Sequence, residues 1–211
     1  SVGKGKFISA NGSIYEGDYV NDKPAGKGIL ILANGDAYEG EFVDGKRTGK
    51  GRFEYVDGDV FEGEFIDGIL MGKGKIICSD GLIIEGDFVD DKLNGKGKQI
   101  WPDGTIFEGD YVDMNLNGKG ITISIYGNYE GDFIENKRNG YGKYSWPDGN
   151  TYEGSFVDDN RTGKGKYTFA NGDVYEGEFI DGAYTGIGKF TYANGEVYEG
   201  EFIDGKPLKT E

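Results

Sequence analysis

The sequence predicts an all-β fold, an elongated, twisted, single-layer antiparallel meander of about nine β-hairpins. Three observations carry that expectation. A short unit recurs nine times at nearly constant spacing. Within each unit two segments of alternating polarity flank a turn. The 40 glycines all fall at fixed places in that unit or in the loops that join units, leaving none for a phosphate loop or a flexible linker. Self-similarity at one short period marks a repeat array, in which each unit buries its apolar face only against its neighbours.

The unit is clearest from Gly163 to Ile180, GKGKYTFANGDVYEGEFI. Its first segment runs from Gly163 to Phe169 and its second from Val174 to Ile180, both with the period-two alternation of strands. Asn171-Gly172 lies between them, and Asn-Gly between alternating runs predicts a hairpin closed by a type I′ turn with positive φ at both central residues. The first residue of the Tyr-Glu-Gly triplet falls at Tyr15, Tyr38, Phe61, Ile84, Phe107, Tyr129, Tyr152, Tyr175 and Tyr198, with seven spacings of 23 residues and one of 22. The short spacing comes from a residue missing in Tyr126-Gly127-Asn128-Tyr129, so it should alter that hairpin's tip and leave the strand register intact. Short connections between hairpins give a meander of 18 strands. At about 4.8 Å per strand such a sheet extends roughly 85 Å, and a sheet of that many strands must twist or curl.

Alternation divides each hairpin into two faces. Tyr175, Gly177 and Phe179 share one with Gly163, Gly165, Tyr167 and Phe169, so the glycines should leave room for rings to lie over the backbone. Phe53/Tyr55, Tyr144/Trp146 and Phe190/Tyr192 repeat the pattern, making an aromatic ribbon expected on the concave side of a trough. The other face carries Glu16, Glu39, Glu62, Glu85, Glu108, Glu130, Glu153, Glu176 and Glu199, with Lys at the centre of seven of the nine Gly-x-Gly pairs. Opposite charges on adjacent strands form a solvated ladder. On that same face the column Ile8, Ile31, Glu54, Ile77, Ile100, Ile123 turns polar at Ser145, Thr168 and Thr191, leaving the amino-terminal half the more apolar.

Composition narrows the function. The net charge is −15, which gives the chain as a whole no attraction to nucleic acid or anionic lipid. No apolar run approaches the roughly 20 residues that cross a membrane as a helix. A lone cysteine, Cys78, forms no internal disulfide and fits a reducing compartment; on the aromatic face it reads as a small filler in the place held by Trp101 or Phe169. There is no histidine, and so neither the commonest general base nor the commonest zinc ligand. Gly40 to Gly45 with Lys46-Arg47 lacks the Ser or Thr and the helix of a phosphate loop. Carboxylate pairs recur in every repeat, so spacing singles out none as an acid/base dyad. No catalytic residue, cofactor or metal ligand is expected.

The recurring pattern Y-E-G-[DE]-[FY]-x(6)-G-K-G resembles the MORN repeat (membrane occupation and recognition nexus), in nine copies over essentially the whole of residues 1–211. Departures are Ile84 for the aromatic residue, and Tyr141 and Ile187 for the central Lys of Gly-Lys-Gly. An array built only of such repeats is similar to the all-MORN cytoskeletal scaffold proteins of parasitic protists. The resemblance implies a non-catalytic scaffold, cytoplasmic and cytoskeleton-associated, that dimerises and docks cytoskeletal or membrane-associated proteins. It also leaves open a peptide held in the aromatic trough, or weak lipid binding. The ends, without polar capping units, suggest a piece of a longer array.

Two surfaces are candidates for binding a partner or a second copy. The first is the aromatic face of the carboxy-terminal repeats, Phe169, Tyr175, Phe179, Tyr184, Phe190, Tyr192, Tyr198 and Phe202, next to an unpaired sheet edge. The alternative is an apolar stripe of loop residues, Ile69, Leu70, Met71, Leu93, Met114 and Leu116, along one edge of the sheet.

Overall fold

The computed structural model describes residues 2–208; Ser1 and residues 209–211, which the sequence reading includes in the array, lie outside them. The described residues form nineteen strands in one sheet and no helix. Two compact units divide them: an amino-terminal unit that reaches Gly104 and includes Tyr111–Met114, and a carboxy-terminal unit made of Thr105–Asp110 and the chain from Asn115. In the first, every strand from Val2–Ile8 to Lys92–Ile100 pairs antiparallel with the next. In the second the same holds from Asn115–Ser124 to Lys206–Pro207. The meander of hairpins expected from the repeat is the observed topology.

The turn type at Asn-Gly differs from expectation. At Asn171-Gly172 only Gly172 has positive φ, 93°. The Gly172 N–H donates to Phe169 O (2.9 Å) and the Phe169 N–H to Asp173 O (2.9 Å), a four-residue turn whose last residue is a left-handed glycine. Asn171 stays outside the left-handed region because its Oδ1 accepts the N–H of Asp173 at 3.0 Å. Positive φ at two successive residues occurs instead between hairpins, as at Asp158 and Asp159 (45° and 70°) and at Asp181 and Gly182 (48° and 83°). Each inter-hairpin connection is therefore a tight two-residue turn. The hairpin with the missing residue closes on Ile125-Tyr126 alone, and Gly120 still faces Gly131 across it, so the register survives.

The two glycines of each Gly-x-Gly pair serve different ends. Between Thr151–Val157 and Asn160–Thr168, Gly154 faces Gly165 but Ser155 faces Thr162, so Gly163 and Lys164 bulge out of that ladder. Gly163 takes φ 61° there, which a β-branched or bulky residue resists. Gly165 has an ordinary extended backbone, but the ring of Tyr152 lies flat against it: a Cβ would stand 2.5 Å from Tyr152 Cε2 and 2.6 Å from its Oη. The ring ends by donating its hydroxyl to the carbonyl of Ser155, three residues on, at 3.0 Å. The same bond recurs at Tyr15, Tyr38, Tyr129, Tyr175 and Tyr198.

These tyrosines form the core by edge-to-face contact with the phenylalanine of their own and the next repeat. Tyr152 meets Phe156 at 5.2 Å and Phe179 at 4.8 Å; Tyr175 meets Phe179 at 5.4 Å and Phe202 at 5.0 Å; Tyr38 meets Phe42 and Phe65, both at 5.3 Å. T-shaped pairs of this kind add about 0.5–1.5 kcal/mol each beyond area burial. In the three middle repeats, whose triplets begin with Phe61, Ile84 and Phe107, another residue fills the hollow. The nearest side-chain atoms above Gly63 and Gly74 are those of Leu70, above Gly86 and Gly97 those of Leu93, and above Gly109 and Gly120 those of Leu116.

Hydrogen bonds between repeats run along both edges. On the tip side a carboxylate or amide caps the next turn: Asp36 accepts from Val56 N at 2.9 Å, Asp59 from Ser79 N at 2.7 Å, Asp173 from Ala193 N at 2.8 Å. On the other side each tight turn donates to the residue that follows the previous one, as Gly45 N to Pro24 O (2.8 Å) and Gly182 N to Arg161 O (3.1 Å). Among the described residues no buried side-chain polar atom lacks a partner.

Candidate functional site

The charged face is a ladder of ion pairs. Lys75 Nζ lies 2.8 Å from Glu85, Arg52 Nε 3.1 Å from Glu62, Lys119 Nζ 2.6 Å from Asp132 and Lys189 Nζ 3.4 Å from Glu199. An open hollow of the amino-terminal unit, about 1020 Å³, lies on this face, floored by Gly17, Gly28, Gly40 and Gly51 and walled by Lys and Glu. Its walls are only partly ion-paired, Lys6 with Glu16 at 3.5 Å and Arg52 with Glu54 and Glu62, and exposed pairs contribute at most about 1 kcal/mol each. Ile8, Ile31 and Ile123 of the apolar column are exposed. Among the described residues no His, Cys, Asp or Glu cluster could hold a metal ion.

The aromatic face is not uniform either. In the carboxy-terminal unit six rings follow one another without a gap. Tyr144 to Trp146 is 4.6 Å, Trp146 to Tyr167 5.5 Å, Tyr167 to Phe169 4.6 Å, Phe169 to Phe190 5.6 Å and Phe190 to Tyr192 4.7 Å. Interplanar angles stay between 41° and 58°, so the rings stand inclined to one another with crevices between them. All are half-buried except Tyr192, which is 37 % exposed. In the amino-terminal unit the corresponding strip breaks, because Cys78 and Gln99 hold places that Trp146 and Tyr144 hold here. Cys78 is a half-buried free thiol whose pKa burial raises, as the filler reading expects.

Arginines extend the strip. Arg161 follows the Asp158-Asp159 turn and lies over Trp146 (5.3 Å), Tyr167 (5.5 Å) and Tyr152 (5.6 Å). Arg138 covers Tyr144 at 5.2 Å and pairs with Asp159 at 2.9 Å. Arg161 has no carboxylate of the described residues within ion-pairing distance; burial lowers its pKa, and Tyr167 is its hydrogen-bond partner. Burial in turn raises the pKa of Tyr167, against the pull of Arg161. Between the two guanidiniums is a hollow of about 370 Å³ walled by Tyr144, Trp146 and Phe156, with Asp159 and Asp181 at its mouth. Deeper in, Tyr129 and Tyr152 have pKa values pushed up to about 12, mainly by burial.

The first set of sequence candidates is thus split. Tyr175, Phe179 and Phe202 are fully buried core rings. Phe169, Tyr184, Phe190 and Tyr198 are half-buried and Tyr192 is exposed. The alternative set is not an exposed edge stripe. Leu70, Leu93 and Leu116 have no exposed surface at all, being the plugs over the glycine hollows. Met71 and Met114 are half-buried, the latter with Sδ 3.0 Å from Leu93 N, and Ile69 alone is exposed. The aromatic face is itself divided: the triplet tyrosines are consumed by the core, and the rings left at the surface belong to the tips of the first strands. Tyr144, Trp146, Tyr167, Arg138 and Arg161 were absent from the candidates. The signal for the two arginines was the second residue after each tight turn, Arg in some repeats and Leu in others; the rings had theirs in the alternation that puts Tyr144/Trp146 and Tyr167 on the aromatic face.

The profile of the MORN repeat matches residues 2–14, 15–37, 38–60, 61–83, 85–106, 129–151, 152–174, 175–197 and 198–207. The unmatched interval 107–128 holds the shortened hairpin. No curated protein sequence matches the chain. Among solved structures, the TCP domain of SAS-4 (dCPAP) of Drosophila melanogaster, in complex with a proline-rich motif of Ana2 (dSTIL), is 12% identical with a TM-score of 0.41, over 93% of this chain and 88% of that one. The TCP10 domain of Danio rerio CPAP, in complex with a peptide of Danio rerio STIL, is 14% identical with a TM-score of 0.30, over 96% of this chain and 99% of that one. Likeness at this level does not bear on function.

Proposed function

The chain belongs to the MORN-repeat family, and on that footing we propose that it is a non-catalytic scaffold that docks protein partners on the strip from Arg138 to Tyr192. The observation that carries the reading is the strip itself. The triplet tyrosines are spent on the core, and Phe7, Tyr55, Trp101, Tyr126 and Tyr141 are exposed outside the strip, but only here do six inclined rings follow one another without a gap beside a guanidinium that has no carboxylate of the described residues within ion-pairing distance. Such rings supply rigid contact area at low entropic cost, and Arg and aromatic residues dominate binding energy at interfaces. We further propose a cytoplasmic, cytoskeleton-associated setting, in keeping with the scaffold proteins that such arrays resemble. The acidic surface opposes docking on anionic membranes through charge.

A second reading, a homodimer through the carboxy-terminal repeats, is favoured by the gathering of Phe169 with Tyr184 at 6.3 Å and Phe190 with Tyr192 at 4.7 Å beside the last hairpin. Light scattering at high micromolar concentration separates the two readings. A random peptide library displayed and panned against the protein tests the first, with a strip variant (Trp146→Ala, Phe169→Ser, Tyr192→Ser) as the counter-selection. Enrichment of peptides that need the intact strip is the expected result. A monomer from which no strip-dependent peptide can be selected would sink both.

A further inference from the structure

We infer that the strip's partner is a proline-rich segment in the polyproline II conformation, running across the strands and carrying a basic residue at its flank. The inference rests on the docking role proposed above and names its ligand.

The first ground is a match of periods. Equivalent residues of successive repeats, such as Trp146, Phe169 and Tyr192, are two strands apart, about 9.4–9.8 Å at the usual strand spacing. A polyproline II helix rises about 3.1 Å per residue with three residues per turn, so it presents the same edge every 9.3 Å or so. A segment with proline at every third position can thus set one ring per repeat into the crevices between the inclined aromatics. An α-helix repeats its contact face about every 5.4 Å and an extended strand about every 6.7 Å, and neither keeps step. Sheet twist of roughly 20–25° per strand limits the match to a few repeats, and the continuous strip has three of them, ending in Trp146, Phe169 and Tyr192.

The second ground is hydrogen bonding. A polyproline II segment has no internal backbone hydrogen bonds, so its carbonyls are open acceptors. The strip offers a multiple donor in the Arg161 guanidinium, which bonds Tyr167 and has no carboxylate of the described residues within ion-pairing distance. The third is charge. At the hollow Asp159 and Asp181 are balanced by Arg138 and Arg161, but the chain as a whole is acidic, with a net charge of −15. A lysine or arginine beside the prolines meets that field.

The experiment is a calorimetric titration of the whole chain with a synthetic peptide of about a dozen residues, proline at every third position and arginine at one end. Its partners are a copy with the prolines replaced by alanine and a scrambled copy. Saturable binding of the first, at least tenfold weaker for the alanine peptide and weaker still as salt rises, is the expected result. Trp146→Ala and, independently, the exposed Tyr192→Ser should each lower the affinity severalfold, whereas Trp101→Ala, outside the strip, should leave it unchanged. Melting curves of each variant establish that it is folded. Failure of the wild-type chain to bind the proline peptide, or binding that none of the strip variants weakens, overturns the inference. If the peptide library yields strip-dependent ligands that lack proline, or light scattering shows a second copy covering the strip, the docking surface stands and this ligand falls. If the library yields nothing, the docking surface falls with it.

Discussion

Replacing Gly165 with alanine puts a methyl group where the Tyr152 ring lies. The backbone at Gly165 has no positive φ, so the substitution should not strain it, and Ala there stiffens the unfolded chain by about 0.4–1 kcal/mol in favour of folding. Against that, the new Cβ stands 2.5 Å from Cε2 and 2.6 Å from Oη of a ring with no exposed surface. The ring cannot swing aside without opening its contacts with Phe156 and Phe179 and its bond to the Ser155 carbonyl. Overpacking costs about 1–3 kcal/mol and the lost hydrogen bond about 1. The expected net destabilisation is about 2–3 kcal/mol. Gly74→Ala meets the Glu62 carbonyl at 3.1 Å and the Leu70 methyls at 3.1 and 3.2 Å, looser contacts than at Gly165, and should cost less, and Gly3→Ala, with nothing within 4 Å, should be neutral. Because repeats can open separately, the assay is native-state amide exchange of the 152–168 hairpin pair, backed by urea melts. In a Tyr152→Ala background the clash is gone, and Gly165→Ala should become nearly free. Equal effects at Gly165 and Gly3, or additivity with Tyr152→Ala, would refute the assignment of the second glycine to the tyrosine ring.

Leu93→Ala should lower stability by about 2–5 kcal/mol, read by urea melts, and leave the association state unchanged, since Leu93 is a fully buried plug and no part of the surface. Tyr152→Phe should cost about 1–2 kcal/mol by leaving the Ser155 carbonyl unpaired, with its ring contacts intact. In a near-ultraviolet pH titration Tyr129 and Tyr152 should ionise at about pH 12. Their folded pKa lies above the unfolded value of about 10, so their contribution to stability is whole below pH 10 and is lost as pH rises toward 12. Alkaline unfolding should therefore set in across that window.

The fold was legible because the repeat displays its own constraints. Period-two alternation, the glycine frame and the turn residues all demand the same hairpin, and agreement between levels is what specifies a structure. Less legible was which glycine does what, since a bulge of Gly163-Lys164 and a ring lying on Gly165 leave the same letter in the sequence. Leu70, Leu93 and Leu116 read as surface because they follow turns. They are buried because the two-residue bulge returns that part of the strand over the sheet's glycine hollow. The candidate site was half legible. Aromatic composition located the carboxy-terminal repeats, but alternation alone cannot tell a ring that lies down on glycine, as Tyr175 does, from one that stands at the strand tip, as Phe169 does.

One sequence rule nevertheless links the two kinds of repeat. The residue nine positions after the triplet's first is Pro24, Arg47, Arg138, Arg161, Tyr184 or Pro207 where the triplet begins with Tyr, and Leu70, Leu93 or Leu116 where it begins with Phe or Ile. The structure gives the cause. A tyrosine can lie on the glycines because its hydroxyl reaches the carbonyl three residues on, and it then needs a neighbour that lies over its ring, as Arg161 does over Tyr152 at 5.6 Å. Phenylalanine and isoleucine have no hydroxyl to pair with that carbonyl, and leucine fills the hollow instead. The rule predicts a swap. Phe61→Tyr alone should destabilise by about 1–3 kcal/mol, because Leu70 already occupies the place of the new ring. Leu70→Arg alone should cost about 3–5 kcal/mol, by emptying the hollow and forcing a charge toward it. The double variant should recover most of both losses, a coupling of at least 2 kcal/mol in a double-mutant cycle measured by urea melts. Additive losses would mean that the choice between ring and plug is set elsewhere in the repeat, and that the nine-residue rule is coincidence.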